Sequence, residues 1–304
     1  MVVAVVLTYA APPGMLEACV ASVLAADEVA RLVVVDNGTL AAPRLAEIAD
    51  PRLEIVTTGK NLGYAGGMNV GIRRALAAGA EHVLLLNDDL VVEPDVVPPL
   101  LAAMNDPAVG GVQPKLLLAG TDPPLVNSVG VALGRDGAGT DIGLGEPDGP
   151  QFALGRDVLA CTGGALLLRR ALLDNVGGFD ERFFLYYEDV DLALRAAELG
   201  WRMRCEPAAV VHHRGSVTTE HDSVAARTVY LRERNRLWVL IRHRPVGDIV
   251  RGVWLSVRRL RWPPRWVHAR ALGVGLLASV PLLRDRLRRA RRGEWGRRSR
   301  AHRG

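Results

Sequence analysis

His82-Val83-Leu84-Leu85-Leu86-Asn87-Asp88-Asp89 is the stretch that decides the fold. An unbroken apolar run stops abruptly in one amide and two carboxylates. Such a run, bounded by turn formers, reads as a strand buried on both faces, as in a parallel sheet. The same grammar recurs upstream. Val2 to Leu7 ends in Thr8-Tyr9, Arg31 to Val35 ends in Asp36-Asn37-Gly38, and Leu53 to Thr57 makes a third strand. Helical spacing over Met15 to Ala25, Leu40 to Ala49 and Gly66 to Ala78 separates them. Strand and helix in alternation, with short connections, predict an α/β fold: a mostly parallel sheet with helices on both faces. Ligands of such sheets bind beyond the carboxyl ends of the strands. Thr8, Tyr9, Asp36, Asp88 and Asp89 all fall at those ends.

Downstream of Glu93-Pro94 the alternation weakens. Val109 to Leu118 and Leu125 to Leu133 read as strands of a more mixed sheet, and Gly134 to Pro150 as a loop. Ala165 to Leu168 is a strand, Asp189 to Leu199 a helix, and Arg202 to Cys205 and Ala209 to Val211 are short strands. Val224 to Arg242 and the segments after it are helical, with a break at Pro263-Pro264. The expected division is residues 1–222 as the catalytic domain, with a nucleotide-binding half to about 110 and an acceptor-binding half after it. Residues 223–304 form a basic amphipathic helical extension.

The chain has 304 residues, of which 49% are hydrophobic and 23% charged, which excludes a mostly disordered protein. Three scattered cysteines exclude a disulfide framework or a zinc cluster, so a reducing cytoplasm is expected. The first eight residues carry no basic leader, so no signal peptide is expected. Net charge is +5, but residues 232–304 hold 21 arginines against four acidic residues, while the rest of the chain is acidic. Trp238, Trp254, Trp262, Trp266 and Trp295 are interleaved with those arginines. Trp and Arg together suit the headgroup level of an anionic membrane. No apolar run reaches the roughly 18–20 residues of a membrane span. The longest, Ala271 to Leu283, stops before an arginine run. A peripheral place on the inner face of the cell membrane is the expectation.

Several motifs carry chemistry. Two carboxylates after a strand, Asp88 and Asp89, suit a hard cation such as Mg2+ or Mn2+. Turn chemistry favours the same residues. Asp36 can accept a hydrogen bond from a base or ribose, or cap a turn. In Asn61-Leu62-Gly63-Tyr64-Ala65-Gly66-Gly67-Met68-Asn69, three glycines open a helix and let backbone amides approach a ligand. Glu188, Asp189 and Asp191 start a helix behind the aromatic run Phe183 to Tyr187, and residues one apart on a helix diverge. One can act as general base while another caps or orients. His212-His213 follows a strand and offers a further metal ligand.

Taken in order, these stretches resemble the family 2 glycosyltransferases, inverting enzymes of the GT-A fold, which is Rossmann-like. The likeness runs from Val3 to about Arg244. It rests on Val6-Leu7-Thr8-Tyr9, Val34-Val35-Asp36-Asn37, the Asn61 to Asn69 loop and Leu86-Asn87-Asp88-Asp89. Thr162-Gly163-Gly164-Ala165, Gly178 to Phe184 and Tyr187-Glu188-Asp189-Val190-Asp191-Leu192 complete it. Within the family it is similar to the rhamnosyltransferase-like enzymes of cell-wall and polysaccharide assembly, and Tyr230 with Arg232 to Arg236 matches a segment of that subgroup.

The resemblance implies roles. Thr8, Tyr9 and Asp36 would hold nucleobase and ribose, and Asn61, Gly66 and Asn69 would line the nucleotide pocket. Asp89 would meet the metal and Asp88 the donor sugar or the metal, with Asn87 where the family's motif begins with Asp. Asp189 would be the base, supported by Glu188 and Asp191. His212 would complete the metal site, with His213 as a one-residue shift, and Arg234 would reach the donor. The cofactor implied is Mg2+ or Mn2+. The partners implied are a nucleotide-sugar donor, a glycan or polyprenyl-diphosphate-linked acceptor and an anionic membrane surface, with no nucleic acid. dTDP-L-rhamnose is the first choice of donor, and UDP-galactofuranose or a UDP-N-acetylhexosamine the alternative. A nucleotidyltransferase would show a basic loop after the first strand, whereas no Lys or Arg precedes Arg31. A plain binding module would have no use for these carboxylate sets.

Overall fold

Valine and leucine runs that bury both faces make the centre of a ten-stranded sheet. The computed structural model describes residues 1–39, 42–45, 47–214 and 222–291. The first half alternates β1 (Val2–Thr8), α1 (Met15–Ala25), β2 (Val29–Asp36), α2 (Ala42–Leu45), β3 (Leu53–Thr57), α3 (Gly63–Ala77) and β4 (His82–Asn87). There follow β5 (Leu90–Val92), α4 (Val97–Ala103), β6 (Val109–Leu118), β7 (Leu125–Ser128), β8 (Val131–Leu133), β9 (Gly139–Asp141) and β10 (Arg156–Val158). Then come β11 (Ala165–Arg169), α5 (Arg170–Val176), α6 (Glu188–Glu198) and β12 (Arg202–His213). The remaining helices are α7 (Asp222–His243), α8 (Val246–Arg259), α9 (Arg265–Leu277) and α10 (Val280–Arg291).

Strand order is β10-β12-β6-β11-β4-β1-β2-β3, with β5 beside β12 and β7 beside β6. β1, β2, β3 and β4 are mutually parallel, as the alternating pattern predicts. β11 runs antiparallel to both β4 and β6. Ala165 pairs with Leu86, so β11 begins where β4 ends. This reversal brings the Gly163-Gly164 turn to the carboxyl ends of the parallel strands.

The chain divides into two compact units. One comprises Met1–Ala132 and Asp141–Ser216, the other Leu133–Thr140 and Val217–Gly304. The second unit is built on buried arginine. Arg236, 2% exposed, donates to the carbonyls of Asp136 and Gly252 and to Ser256 Oγ. Trp238 Nε1 donates to the Gly275 carbonyl at 3.1 Å.

Several boundaries differ from the sequence reading. Helix α3 starts a turn early, at Gly63, whose φ of +73° and contact with the Phe184 carbonyl leave no room for a Cβ. Leu125 to Leu133 breaks into β7 and β8 at Gly130, which sits at φ +131°. The two short strands after Arg202 are one strand, β12, whose pairing with β6 slips between Glu206 and Val210. The Gly134 to Pro150 loop contains β9. The apolar stretch near the end is longer than expected: Arg265–Leu287 spans 23 residues and is long and apolar enough to cross a membrane. Trp266-Val267 extend it upstream with only Arg270 interrupting, and two helices divide it at Ala278-Ser279. The expected helix at Leu40 to Ala49 falls partly, and Trp295 with the last arginines wholly, outside the described residues.

Helix α3 packs on β1 and β2 through Gly71. A Cβ there would strike Val5 Cγ1 and come within 3.0 Å of Val35 Cγ2. Gly71→Ala should therefore destabilise the protein by about 1–3 kcal/mol through overpacking, despite alanine's better helix propensity. A urea denaturation midpoint equal to wild type would contradict this packing.

Candidate active site

The ends of the parallel strands bring the expected residues together. Thr8 pairs with Asp36, and Leu7 with Asn87, so the carboxyl ends of β1, β2 and β4 lie side by side. Tyr9 N–H donates to Asp88 Oδ2 at 3.3 Å. The Asp88 carboxyl is pushed up to about 6, chiefly by burial, with the Thr8 hydroxyl and Tyr9 amide pulling it down and Asp89 pushing it up. Asp36 is buried, and its Oδ1 accepts from the amides of Gly38 at 3.1 Å and Thr39 at 2.7 Å. It thus holds the turn that closes β2. Asn61 Oδ1 accepts from Gly63 N–H at 2.8 Å and from Asn37 Nδ2 at 3.3 Å, which fixes the start of α3 beside that turn. Gly66 lies on this first turn, where a Cβ would meet Leu62.

Asp89 is buried, with Oδ2 at 3.0 Å from His213 Nε2 and no partner for Oδ1. The other ring nitrogen of His213 lies 2.9 Å from Asn127 Oδ1, which orients the imidazole. The expectation placed His212 here, and the structure places His213 instead. Neighbours on a strand face opposite ways, and His212 Nε2 lies 2.7 Å from Glu93 Oε1. Among the described residues, no three His, Cys, Asp or Glu side chains form a complete metal site.

Asp189 reaches the same edge from α6. Gly163 N–H donates to its Oδ2 at 3.0 Å, and Val190 N–H to its Oδ1 at 2.7 Å. The next residue, Gly164, accepts from Asn87 N–H at 2.9 Å. Two hydrogen-bonded links and one glycine pair therefore join the strand end carrying Asp88 and Asp89 to the helix carrying Asp189. Burial pushes the Asp189 carboxyl up to about 6, opposed by the Val190 and Gly163 amides and assisted by Asp141. Glu188 is buried with Oε2 unpartnered, and burial beside Asp189 holds it well above the usual carboxylate range. Tyr64, a residue that the sequence reading passed over, donates its hydroxyl to the Gly163 carbonyl. It grips the same glycine whose amide holds Asp189, through the next peptide. Phe184, Tyr186 and Tyr187 sit at φ +67°, +69° and +69°, strained positions for side chains this large. The Ala65 amide donates to the Phe184 carbonyl at 3.2 Å and pins that run to α3.

Other expected residues serve the scaffold. Asp191 is fully buried and accepts from Arg195 Nε at 2.7 Å, while Arg195 also donates to the carbonyls of Val176 and Gly178. It fastens α6 to the end of α5, and its charge raises the neighbouring Glu188 carboxyl. Asn69 was expected in the nucleotide pocket. Its amide instead donates to Phe179 O at 2.9 Å and Glu181 Oε1 at 3.0 Å, and accepts from Phe179 N–H at 2.9 Å. Arg234 lies in the second unit, with its guanidinium over Trp238 at 4.2 Å and Tyr230 at 5.6 Å.

Comparison with known proteins agrees with this fold. Residues 2–240 match the family described as "Glycosyltransferase like family 2". The chain belongs to that family, has its GT-A fold, and is a glycosyltransferase. It is similar to the N-acetylglucosaminyl-diphospho-decaprenol L-rhamnosyltransferase of Mycobacterium tuberculosis, at 30% identity over 309 residues, covering 95% of this chain and 94% of the relative. Among solved structures it resembles GalNAc-T7, crystallised with UDP, GalNAc and Mn2+, with a TM-score of 0.60 at 13% identity. That match covers 79% of this chain and 47% of the other, so the chain spans about half its length. It also resembles the mannosyltransferase PcManGT of Pyrobaculum calidifontis, solved with GDP-Man and Mn2+, with a TM-score of 0.54 at 17% identity, covering 96% and 80% of the two chains. These structural likenesses concern the fold.

A raised carboxyl makes the folded state bind a proton more tightly than the unfolded chain, so its stability falls as pH rises from the unfolded value toward about 6. Asp189→Asn should therefore raise the melting temperature at pH 7.5, and the gain should shrink as pH falls through about 6. A variant less stable than wild type at pH 7.5 in scanning calorimetry would contradict the burial of that charge.

Proposed function

We propose that this glycosyltransferase moves a sugar from a nucleoside-diphosphate donor, with dTDP-L-rhamnose the first choice, to a glycan acceptor carried on polyprenyl diphosphate. Transfer inverts the anomeric centre in a single displacement. The observation that carries the reading is Asp189, held on the Gly163 amide at the same sheet edge as Asp88 and Asp89. The similarity to an enzyme named for rhamnosyl transfer to N-acetylglucosaminyl-diphospho-decaprenol supports the donor and the lipid-linked acceptor. The place of action that fits such an acceptor is the cytoplasmic leaflet.

Asp189 accepts the proton of the acceptor hydroxyl as that oxygen attacks the sugar from the face opposite the departing diphosphate. A base near pH 6 is deprotonated at neutrality and still basic enough to assist. The Gly163 amide holds its carboxylate in place and Tyr64 holds that glycine, while burial beside Asp189 disfavours charge on the neighbouring Glu188. Tyr9, exposed at the end of β1, offers its ring to the nucleobase, while Thr8 and Asp36 shape the wall beneath it. Asp88 and Asp89, beside His213, would hold a divalent cation only together with the donor's diphosphate, since among the described residues no three such side chains make a site by themselves. Asp89 Oδ1 is unpartnered and Asp88 is strongly desolvated, and two carboxylates beside one imidazole suit Mn2+ as well as Mg2+. Two carboxylates are few for a closed cage and normal for a site completed by substrate phosphates. When bound, the cation supplies positive charge to the leaving diphosphate.

Paired variants separate the two roles. Asp189→Asn should cut turnover by roughly 10²–10⁴ with donor binding nearly intact, and Asp89→Ala should weaken cation-dependent donor binding. Near-wild-type turnover in the first, or unchanged cation dependence in the second, would remove that residue from its role. The donor itself is tested by a panel of nucleotide sugars with Mg2+ or Mn2+ and an N-acetylglucosaminyl-diphospho-polyprenol acceptor. dTDP-L-rhamnose should give transfer, and a UDP-sugar turning over faster would replace it.

A further inference from the structure

Helix α8 is inside out. The residues that it buries are Asp248, Gly252 and Ser256, one turn apart on a single face. Asp248 lies 3.3 Å from both Arg135 and Arg244, and Gly252 O and Ser256 Oγ receive Arg236. The opposite face carries Val246, Val250, Trp254 and Val257, exposed by 66%, 63%, 56% and 49%. At 100° per residue these four fall within one quadrant of the helix, a continuous apolar stripe. A helix folding only against its own protein would point this stripe inward. Singly exposed apolar residues are ordinary, but a contiguous stripe marks an interaction surface.

The rim of the stripe says what it meets. Arg251 and Arg258 flank it, and Arg258 lies over the Trp254 ring at 4.7 Å. Trp262 and Trp266 are exposed at the following turn, beside exposed Arg261 and Arg265. Among the described residues of this unit with described side chains, none of the carboxylates is exposed. Glu233 and Asp248 are buried on arginines, Asp285 pairs with Arg242, and Asp136 is only half-exposed. A cleft of about 800 Å³, lined by Arg135, Asp136, Val250, Arg251, Trp254 and Leu255, opens along the stripe, with the half-exposed Asp136 its one acid. Apolar residues to insert, tryptophans at the border, arginines beside them and, among the described side chains of this unit, no acid more than half-exposed are the chemistry of an anionic bilayer surface. A protein partner would be met with a rim of both signs.

We propose that α8 lies flat on an anionic membrane, with Val246, Val250, Trp254 and Val257 in the interface and Arg251 and Arg258 on lipid phosphates. This deepens the lipid-linked-acceptor reading by naming the surface that holds the enzyme beside such an acceptor, and it depends on no catalytic residue.

The full chain is floated, without donor or acceptor, on vesicles of phosphatidylglycerol with phosphatidylethanolamine, and separately on phosphatidylcholine. Anionic vesicles should carry about ten-fold more protein, and about 0.5 M NaCl should release most of it. Val250→Glu and Trp254→Glu should each lower recovery about five-fold or more, while Trp254→Phe keeps it. Circular dichroism and soluble-donor hydrolysis should match wild type in all three variants, so failure here is distinct from failure of the catalytic reading. Equal recovery on phosphatidylcholine, or recovery unaffected by either glutamate, would overturn the proposal. So would protein that resists carbonate extraction, which would make Arg265–Leu287 a span, or a dimer in light scattering that the glutamates split.

Discussion

The structure depends on keeping several carboxylates out of water at one edge of a sheet. Burial favours the neutral acid, and every hydrogen bond to the carboxylate opposes it. At Asp189 two backbone amides oppose the rise, which reaches about 6, whereas Glu188 next to it has an unpartnered oxygen and is held well above the usual carboxylate range by burial. Asp36 and Asp191 show the other solution. One is held by turn amides and the other by Arg195. The edge therefore contains two kinds of acid: those hydrogen-bonded into the scaffold, and those that burial pushes toward the neutral form.

The scaffold serves that distinction. Parallel strands end together, so Thr8, Asp36 and Asn87 arrive side by side without long-range side-chain contacts. The antiparallel β11 then returns a glycine turn to the same edge, and its amide holds Asp189. The aromatic run before α6 is forced through positive φ and is held by the start of α3. Strain of this kind persists only where surrounding contacts over-determine it.

Much of this was legible in the sequence. Apolar runs ending in polar residues located β1, β2 and β4, and the carboxylates that close β2 and follow β4 came from the same pattern. Which histidine faces Asp89 was not legible. Side chains on a strand alternate, but β12 slips against β6 between Glu206 and Val210, and a slip destroys any count of faces from the strand's start. Asn69 misled for another reason. Its partners lie 110 residues on, at Phe179, and no local pattern reports them. Asp191 shared its helix turn with Asp189, and only the position of Arg195 one turn later separates their duties. Helix α8 reverses the usual rule of apolar burial, because the second unit packs around arginine rather than around leucine alone.

The central claim is that Asp189 shares one desolvated, cation-responsive edge with Asp89. Carboxyl-labelled aspartate followed by carbon NMR, with Asp189→Asn to assign the signal, reads it directly. The account requires a titration midpoint near 6 for Asp189 that falls when Mg2+ and dTDP bind together. An ordinary midpoint near 4, unmoved by Mg2+ and dTDP, would contradict it.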